Sequence, residues 1–197
     1  MTASTRVPVR PQRSDSMATR RRIIEGAIEL ARHRSLTTIT MRDIARASGV
    51  STATTYTYFA SKEHVYAEAY VEGVQTLTES VRARPPTGAT AADRVSALLR
   101  RAVRGAAATG DVVQATAISL ASSDPAVAPL RPAVDDAFEE WMDVALDGAE
   151  IADRTDVVKL LQLTMFATFV AVAHGRLTLA ESARLLDVAA RKLVVER

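Results

Sequence analysis

Residues 39–62 read ITMRDIARASGVSTATTYTYFASK, and this stretch decides how the N-terminal part of the chain folds. Thr40 is placed to cap the free backbone amides at a helix start, and Asp43 three residues later completes a capping-box variant. Gly49 supplies the left-handed backbone conformation that ends this helix. Ser51 is placed to cap the next helix. The stretch therefore predicts two short helices joined by a tight turn.

The rest of the chain also has helical periodicity, because apolar residues recur at spacings of three and four and no window alternates. A first helix carries its apolar face on Ile24, Ala27, Ile28 and Ala31. The further helices are expected at residues 41–47, 52–58, 62–82, 90–108, 111–123, 132–148, 154–175 and 178–194. The pattern predicts an all-α fold of about nine helices, with a three-helix head at residues 18–66 and a helical body at residues 67–197.

The positive charge of the chain lies at its N-terminal end. Residues 1–62 contain eleven Lys or Arg and four Asp or Glu, a net +7, whereas residues 63–197 contain fourteen and nineteen, a net −5. A basic region attracts polyanions through counterion release, so nucleic acid is the first partner to consider. Residues 1–17 are expected to form a disordered basic arm. The arginine run 20–22 either reaches DNA or stays solvated.

The composition is typical of a soluble globular protein, with 197 residues, 48% hydrophobic content and no cysteine. The absence of cysteine excludes disulfides and thiolate metal sites and fits a cytoplasmic location. The longest apolar stretch, residues 160–173, lacks charge for only 14 residues and is too short and too polar to span a bilayer. A buried helix is expected there, without membrane association.

The predicted second helix of the turn motif, residues 52–58, has an unusual composition. It holds four threonines, which are poor helix formers, and two tyrosines. Hydroxyl groups can bond base edges and phosphates, and threonine methyls can meet a thymine methyl. The composition favours DNA contact over the alternative of a merely solvated polar face.

Residues 39–62 as a whole resemble the signature of the TetR (tetracycline repressor) family of transcriptional regulators. The resemblance covers roughly residues 20–66, and the remainder of the chain agrees in length and helix pattern. It implies that residues 52–58 are the recognition helix, which lies in the major groove. Thr55 departs from the family pattern, which usually has a large apolar residue there.

The resemblance also assigns DNA contacts by position. The residues expected to face bases are Thr52, Ala53, Thr54 and Thr57. The residues expected at the DNA backbone are Thr40, Arg42, Tyr56, Tyr58 and Lys62, with the cap residue Ser51 beside them.

Specific binding by so small a head requires two heads on one operator, so a homodimer is expected. Apolar stripes on the last two helices predict the interface, with monomer core as the alternative explanation. The expected interface residues are Leu160, Leu161, Leu179, Ala183, Leu186, Ala190 and Leu193.

The resemblance implies a repressor that leaves a palindromic operator when a small apolar or amphipathic effector binds the body. Ordinary core packing is the alternative explanation for each candidate cavity residue. These candidates are Gln114, Ser119, Phe138, Trp141, Met142, Met165, Phe166, Phe169 and His174. A regulator that answers to a protein partner or to no ligand is the alternative function.

A helical enzyme is the third alternative, and the sequence argues against it. It contains no Gly-rich phosphate loop and no nucleophile elbow. Its histidines, His33, His64 and His174, do not have the spacing of metal ligands. No cofactor and no metal are expected.

Overall fold

The computed structural model describes residues 13–108 and 111–196, and within these ranges the chain forms nine α-helices. Their bounds are α1 Arg13–Ala31, α2 Met41–Ala47, α3 Thr52–Tyr58, α4 Lys62–Ala83, α5 Ala91–Ala108, α6 Asp111–Leu120, α7 Arg131–Ala145, α8 Arg154–Ala173 and α9 Leu179–Leu193. The described ranges contain no strand beyond an isolated bridge between Ile151 and Glu196. The all-α prediction is confirmed.

The N-terminal arm differs from its prediction. Arg13–Met17, which we expected in the arm, form the start of α1, and residues 1–12 lie outside the described residues. Asp15 in the first turn favours the early start, because a negative side chain stabilises the positive end of a helix dipole.

The turn motif folds as its capping residues predict. The amide of Asp43 donates to Thr40 Oγ1 at 3.2 Å, and Asp43 Oδ2 accepts from the Thr40 amide at 3.0 Å, which completes the capping box. Gly49 has a φ of 65° and turns the chain. Ser51 Oγ then accepts from the amide of Thr54 at 2.9 Å, so it caps α3. Because local hydrogen bonds set these bounds, α2 and α3 begin and end where expected.

The head has its own apolar core, in which α1, α2 and α4 meet. Its fully buried side chains include Ile23, Ile24, Ile39, Ile44, Phe59 and Tyr66. Tyr66 donates its buried hydroxyl to the carbonyl oxygen of Ala27 at 2.8 Å, which ties α4 to α1. Gly26 allows the helices to approach, since a Cβ there would lie 2.5 Å from Ser48 Oγ and 3.0 Å from its amide nitrogen.

The head and the body share helices. The predicted boundary after residue 66 falls inside the continuous helix α4, where Tyr66 belongs to the head core and Val74 to the body core. Val112 and Ala115 of α6 also pack on the head core. Helices α4 and α6 therefore connect the head core to the body.

The body core is formed by α5, α7, α8 and α9 packed against the second half of α4. A buried hydrogen bond from Trp141 Nε1 to Thr78 Oγ1, 2.8 Å long, joins α7 to α4. Ion pairs join α5 to α9, where Arg191 contacts Asp93 and Arg100 contacts Asp187.

Helix α8 is less buried than its apolar sequence predicts. By length and composition alone it would be able to cross a membrane, yet it packs on α6 and α9 within the body. Its Leu160 and Leu163 remain 48% and 53% exposed. The outer face of α8 is thus an apolar surface that one copy of the chain leaves uncovered.

Candidate DNA-binding surface and effector cavity

Helix α3 presents one face to solvent and buries the other. Ser51, Ala53, Tyr56 and Thr57 are exposed, and Tyr56 is 55% exposed. Thr52, Thr54 and Tyr58 are half-buried at its edges, and Tyr58 packs against the head core. The exposed face is short, polar and rich in hydroxyl and methyl groups, which suits contact with a base-pair edge.

Thr55, which departs from the family pattern, lies on the buried side of α3. Its side chain is fully buried, and its hydroxyl donates to the carbonyl oxygen of Ser51 at 3.2 Å. The hydroxyl is satisfied within α3 itself, so the methyl group packs inward without an unpaired polar atom.

Two basic residues are exposed on α2, the helix that packs against α3. Arg42 on α2 is exposed and makes no hydrogen bond or ion pair with any described residue. Arg46 is highly exposed and lies 3.8 Å from Asp43, a partner it shares with Arg34. The hydrogen bonds from Thr40 hold the pKa of the Asp43 carboxyl down at about 2, so this group stays ionised. Arg46 is a basic residue that the sequence reasoning left out of the DNA-binding set.

Lys62 has a structural partner that the sequence did not reveal. Its Nζ donates to the carbonyl oxygens of Leu36 at 2.8 Å and Ile39 at 3.0 Å. These carbonyls explain why a positive charge is tolerated at the start of α4. Two of the three ammonium hydrogens are used inside the head, which leaves one for a phosphate.

The arginine run 20–22 divides into different environments. Arg20 pairs with Glu68 at 2.6 Å and stacks over the Phe59 ring at 5.4 Å, so it joins α1 to α4. Arg21 pairs with Glu25 on the surface, and Arg22 is exposed. Arg20 is therefore a structural residue in this chain.

The body contains a cavity of about 320 Å³, called the body cavity below, which opens between α7 and α8. This volume lies at the small end of the range for drug-sized ligands. Its lining consists of Tyr70, Val74, Leu120, Ala121, Arg131, Val134, Asp135, Phe138, Trp141, Lys159, Gln162, Leu163, Met165 and Phe166.

Four of the nine predicted cavity residues line the body cavity, namely Phe138, Trp141, Met165 and Phe166. The structure places the other five elsewhere. Met142 and Phe169 are buried in the body core, and Ser119 is fully buried with no hydrogen-bond partner in the described part of the chain. Gln114 donates to the carbonyl oxygen of Ala173. His174 is exposed at the end of α8 and lines a second, more open pocket of about 320 Å³ together with Phe166.

The sequence reasoning missed the charged and polar residues of the cavity. Lys159, Gln162 and Phe166 follow each other at spacings of three and four along α8, and Arg131, Asp135 and Phe138 do so along α7. These stripes were visible in the sequence. They were missed because a search for apolar clusters passes over polar residues, even where their helical spacing places them against another helix.

The predicted dimer residues lie on two different faces. Leu161, Leu186 and Ala190 are fully buried in the core of the single chain, so their side chains cannot face a partner. Leu179, Ala183 and Leu193 are half-buried against the same core. Leu160 is exposed, as are Leu163 on α8 and Val188 on α9, and Leu163 also lines the body cavity. An inward stripe and an interface stripe have the same period, so the interface stays a prediction for Leu160, Leu179, Ala183 and Leu193.

A capped helix-turn-helix with an exposed hydroxyl-rich second helix and a flanking arginine defines a DNA-binding transcriptional regulator. The model of the family described as bacterial regulatory proteins, tetR family, matches residues 23–69. Residues 23–69 therefore match a TetR-type DNA-binding domain, and the relatives and structural neighbours that cover most of the chain are transcriptional regulators. The family and the relatives are regulators, so the expectation that the chain is not an enzyme is confirmed.

The similarity extends beyond the head. An HTH-type transcriptional regulator of Mycobacterium tuberculosis is 28% identical over 169 residues, covering 84% of this chain and 76% of the relative. A TetR transcriptional regulator from Rhodococcus sp. RHA1 has a TM-score of 0.77 at 26% identity, covering 91% of this chain and 96% of its own. FadR of Thermus thermophilus, a TetR-family repressor solved in complex with lauroyl-CoA, has a TM-score of 0.69 at 24% identity, covering 90% and 96%.

Proposed function

We propose that this protein is a cytoplasmic homodimeric repressor that binds a palindromic operator through α3 and leaves it when a small apolar or amphipathic effector fills the body cavity. The observation that carries the DNA-binding part is the exposed face of α3 together with Arg42, which is exposed on the adjacent α2 and has no partner among the described residues. The remaining steps rest on the body cavity, the uncovered apolar face of α8 and the shared helix α4.

Ala53 and Thr57, the most exposed small residues of α3, are assigned to contacts with the bases. Thr52 and Thr54 lie beside them. Thr57 Oγ1 donates to the carbonyl oxygen of Ala53 at 3.1 Å, which fixes its rotamer and leaves its methyl group and lone pairs outward. Such a side chain meets a thymine methyl or a base-edge donor.

A second set of residues around α3 is assigned to contacts with the DNA backbone. Tyr56 and Arg42 are the exposed members, and Tyr56 forms no hydrogen bond with any described residue. Tyr58, Thr40 and Ser51 complete the set at the edges of the motif, with one hydrogen of Lys62. Phosphate contacts of this kind set the orientation of the head without reading sequence.

Dimerisation is assigned to the outer surface of α8 and α9. Leu160 on α8 and Val188 on α9 are 48% and 43% exposed, and exposed large apolar side chains are candidates for an interaction site. A second copy placed on this surface would bury it and hold two heads at a fixed spacing. Two heads on successive major grooves require a separation of about 34–36 Å.

The effector acts through α4, which runs from the head to the wall of the body cavity. Tyr70 lines the cavity, and Tyr66 one turn earlier is bonded to Ala27 of α1. A ligand that displaces Tyr70 therefore shifts the attachment of the head. The lauroyl-CoA complex of the Thermus thermophilus FadR supports an amphipathic occupant, because lauroyl-CoA joins an apolar acyl chain to a charged carrier.

Selection of bound duplexes from a random DNA pool tests the DNA-binding part directly. The expected product is a palindrome, and its affinity should fall steeply with salt. Arg42→Gln should lower the salt slope by about one for each lost phosphate contact. Arg104→Gln on α5 removes the same charge from the body and is the matched control.

Thr57→Val completes the test, because it should change the preferred base at one position of each half-site. Binding without enrichment of any sequence would contradict the proposal. Enrichment of a single, non-repeated site would contradict the two-headed arrangement.

A further inference from the structure

The rim of the body cavity carries positive charge that the chain does not neutralise. Lys159 donates to Gln162 Oε1 at 2.9 Å, and this amide oxygen is its only partner in the described part of the chain. Arg131 donates through Nε and Nη2 to the carbonyl oxygens of Leu120 and Ser122, and it makes no ion pair with a described carboxylate. Two cations at one rim therefore lack a carboxylate partner.

The one acidic group of the rim is already engaged. Asp135 Oδ1 accepts from Gln162 Nε2 at 2.6 Å, which forms a polar bridge across the mouth from α8 to α7. Neither Lys159 nor Arg131 reaches this carboxylate within ion-pair distance. The rim as a whole has one net positive charge, from two cations and one anion.

The interior of the cavity is apolar by contrast. Its walls include Val74, Phe138, Met165 and Phe166, and Trp141 uses its N–H for the bond to Thr78. The Tyr70 hydroxyl is the exception. Burial raises the pKa of Tyr70 to about 12, so the hydroxyl remains protonated and can donate a hydrogen bond.

We propose that the effector is an amphipathic anion, with an alkyl or similarly apolar body inside the cavity and a negatively charged end paired with Lys159 and Arg131 at the rim. This inference rests on the proposed function, because it names the ligand class of the same site. Both long-chain carboxylates and acyl thioesters of a phosphorylated carrier have this chemistry.

The position of Trp141 provides a direct assay of occupancy. It is the only tryptophan of the chain, it is 2% exposed, and it lines the cavity. A dodecanoate with bromine on its terminal carbon should quench this fluorescence saturably below its micellar concentration, because bromine quenches only at short range. The bromo-alcohol and the bromo-alkyltrimethylammonium of the same chain length are the uncharged and cationic controls.

The charge variants make the test specific. Lys159→Gln should weaken binding of the carboxylate by about two- to five-fold, the range of a solvent-exposed ion pair, and should leave the alcohol unchanged. Asp135→Asn should tighten binding of the carboxylate ligand, because it removes the negative charge of the rim. Lys192→Gln, an exposed lysine on α9, is the matched control and should have no effect.

Different outcomes separate this inference from the proposed function. Equal binding of alcohol, ammonium and carboxylate, or no quenching by any of them, overturns the anionic ligand class. Lauroyl-CoA as a further competitor distinguishes the thioester from the free acid. Binding that depends on Lys159 but does not release operator DNA supports the ligand class and refutes effector-controlled release.

Discussion

The hydrogen bond between Trp141 and Thr78 allows a worked prediction about the body core. Thr78 Oγ1 accepts from Trp141 Nε1 at 2.8 Å and donates to the carbonyl oxygen of Val74 at 2.9 Å. Thr78→Val has nearly the same shape and a similar helix propensity, so it creates no cavity. It removes the only acceptor that the buried indole N–H has among the described residues.

The cost follows from leaving one buried donor unsatisfied, which is about 1–3 kcal/mol of unfolding free energy. For a chain of this size each kcal/mol lowers the melting temperature by about 2–4 °C. Thr78→Val should therefore melt about 2–12 °C below the parent protein. Unfolding followed by Trp141 fluorescence measures this loss.

Thr76→Val is the matched control on the same helix. Thr76 Oγ1 also donates to the carbonyl oxygen four residues earlier, that of Glu72 at 2.9 Å, but its side chain is exposed and has no indole partner. The control should stay within about 0.5 kcal/mol of the parent. Equal stability of Thr78→Val and Thr76→Val would refute the reasoning, because the indole hydrogen bond would then contribute nothing.

Three further predictions concern the head and the acid stability of the body. Gly26→Ala should destabilise the head by about 1–3 kcal/mol despite the better helix propensity of alanine, because its Cβ would overlap Ser48, and thermal unfolding checks this loss. Tyr56→Phe should weaken binding to all DNA sequences to the same extent in a fluorescence anisotropy titration, and a changed base preference would contradict its phosphate role. The hydrogen bond from Ser96 holds the pKa of Asp187 below its usual value, so its stabilisation is present at neutral pH and is lost as pH falls below about 4. Asp187→Asn should make the unfolding free energy less dependent on pH in that acidic range. A pH dependence as steep as that of the parent protein would contradict this.

The sequence by itself determined the head in detail. The bounds of α2 and α3 follow from Thr40, Asp43, Gly49 and Ser51, whose hydrogen bonds and backbone angles involve residues at most a few positions apart. Interactions of such short range are encoded in adjacent letters, so a pattern reading can recover them. The family resemblance and the all-α class follow from the same local information.

Tertiary structure alone decided which apolar stripes face inward. Leu160 and Leu161 are adjacent in sequence, yet the first is 48% exposed and the second is buried. Periodicity shows that α8 and α9 have apolar faces, but it does not show which neighbouring helix covers each face. Which apolar side chains a single copy of the chain leaves exposed is therefore decided only when the helices are packed.

The partners of the charged groups were also decided by packing. Lys62 reaches carbonyls 23 and 26 residues earlier, and Arg20 reaches Glu68 on another helix. The body cavity likewise combines side chains of α4, α6, α7 and α8, and an empty volume has no residue of its own in the sequence. Such features depend on distances between remote segments, which only the folded chain fixes.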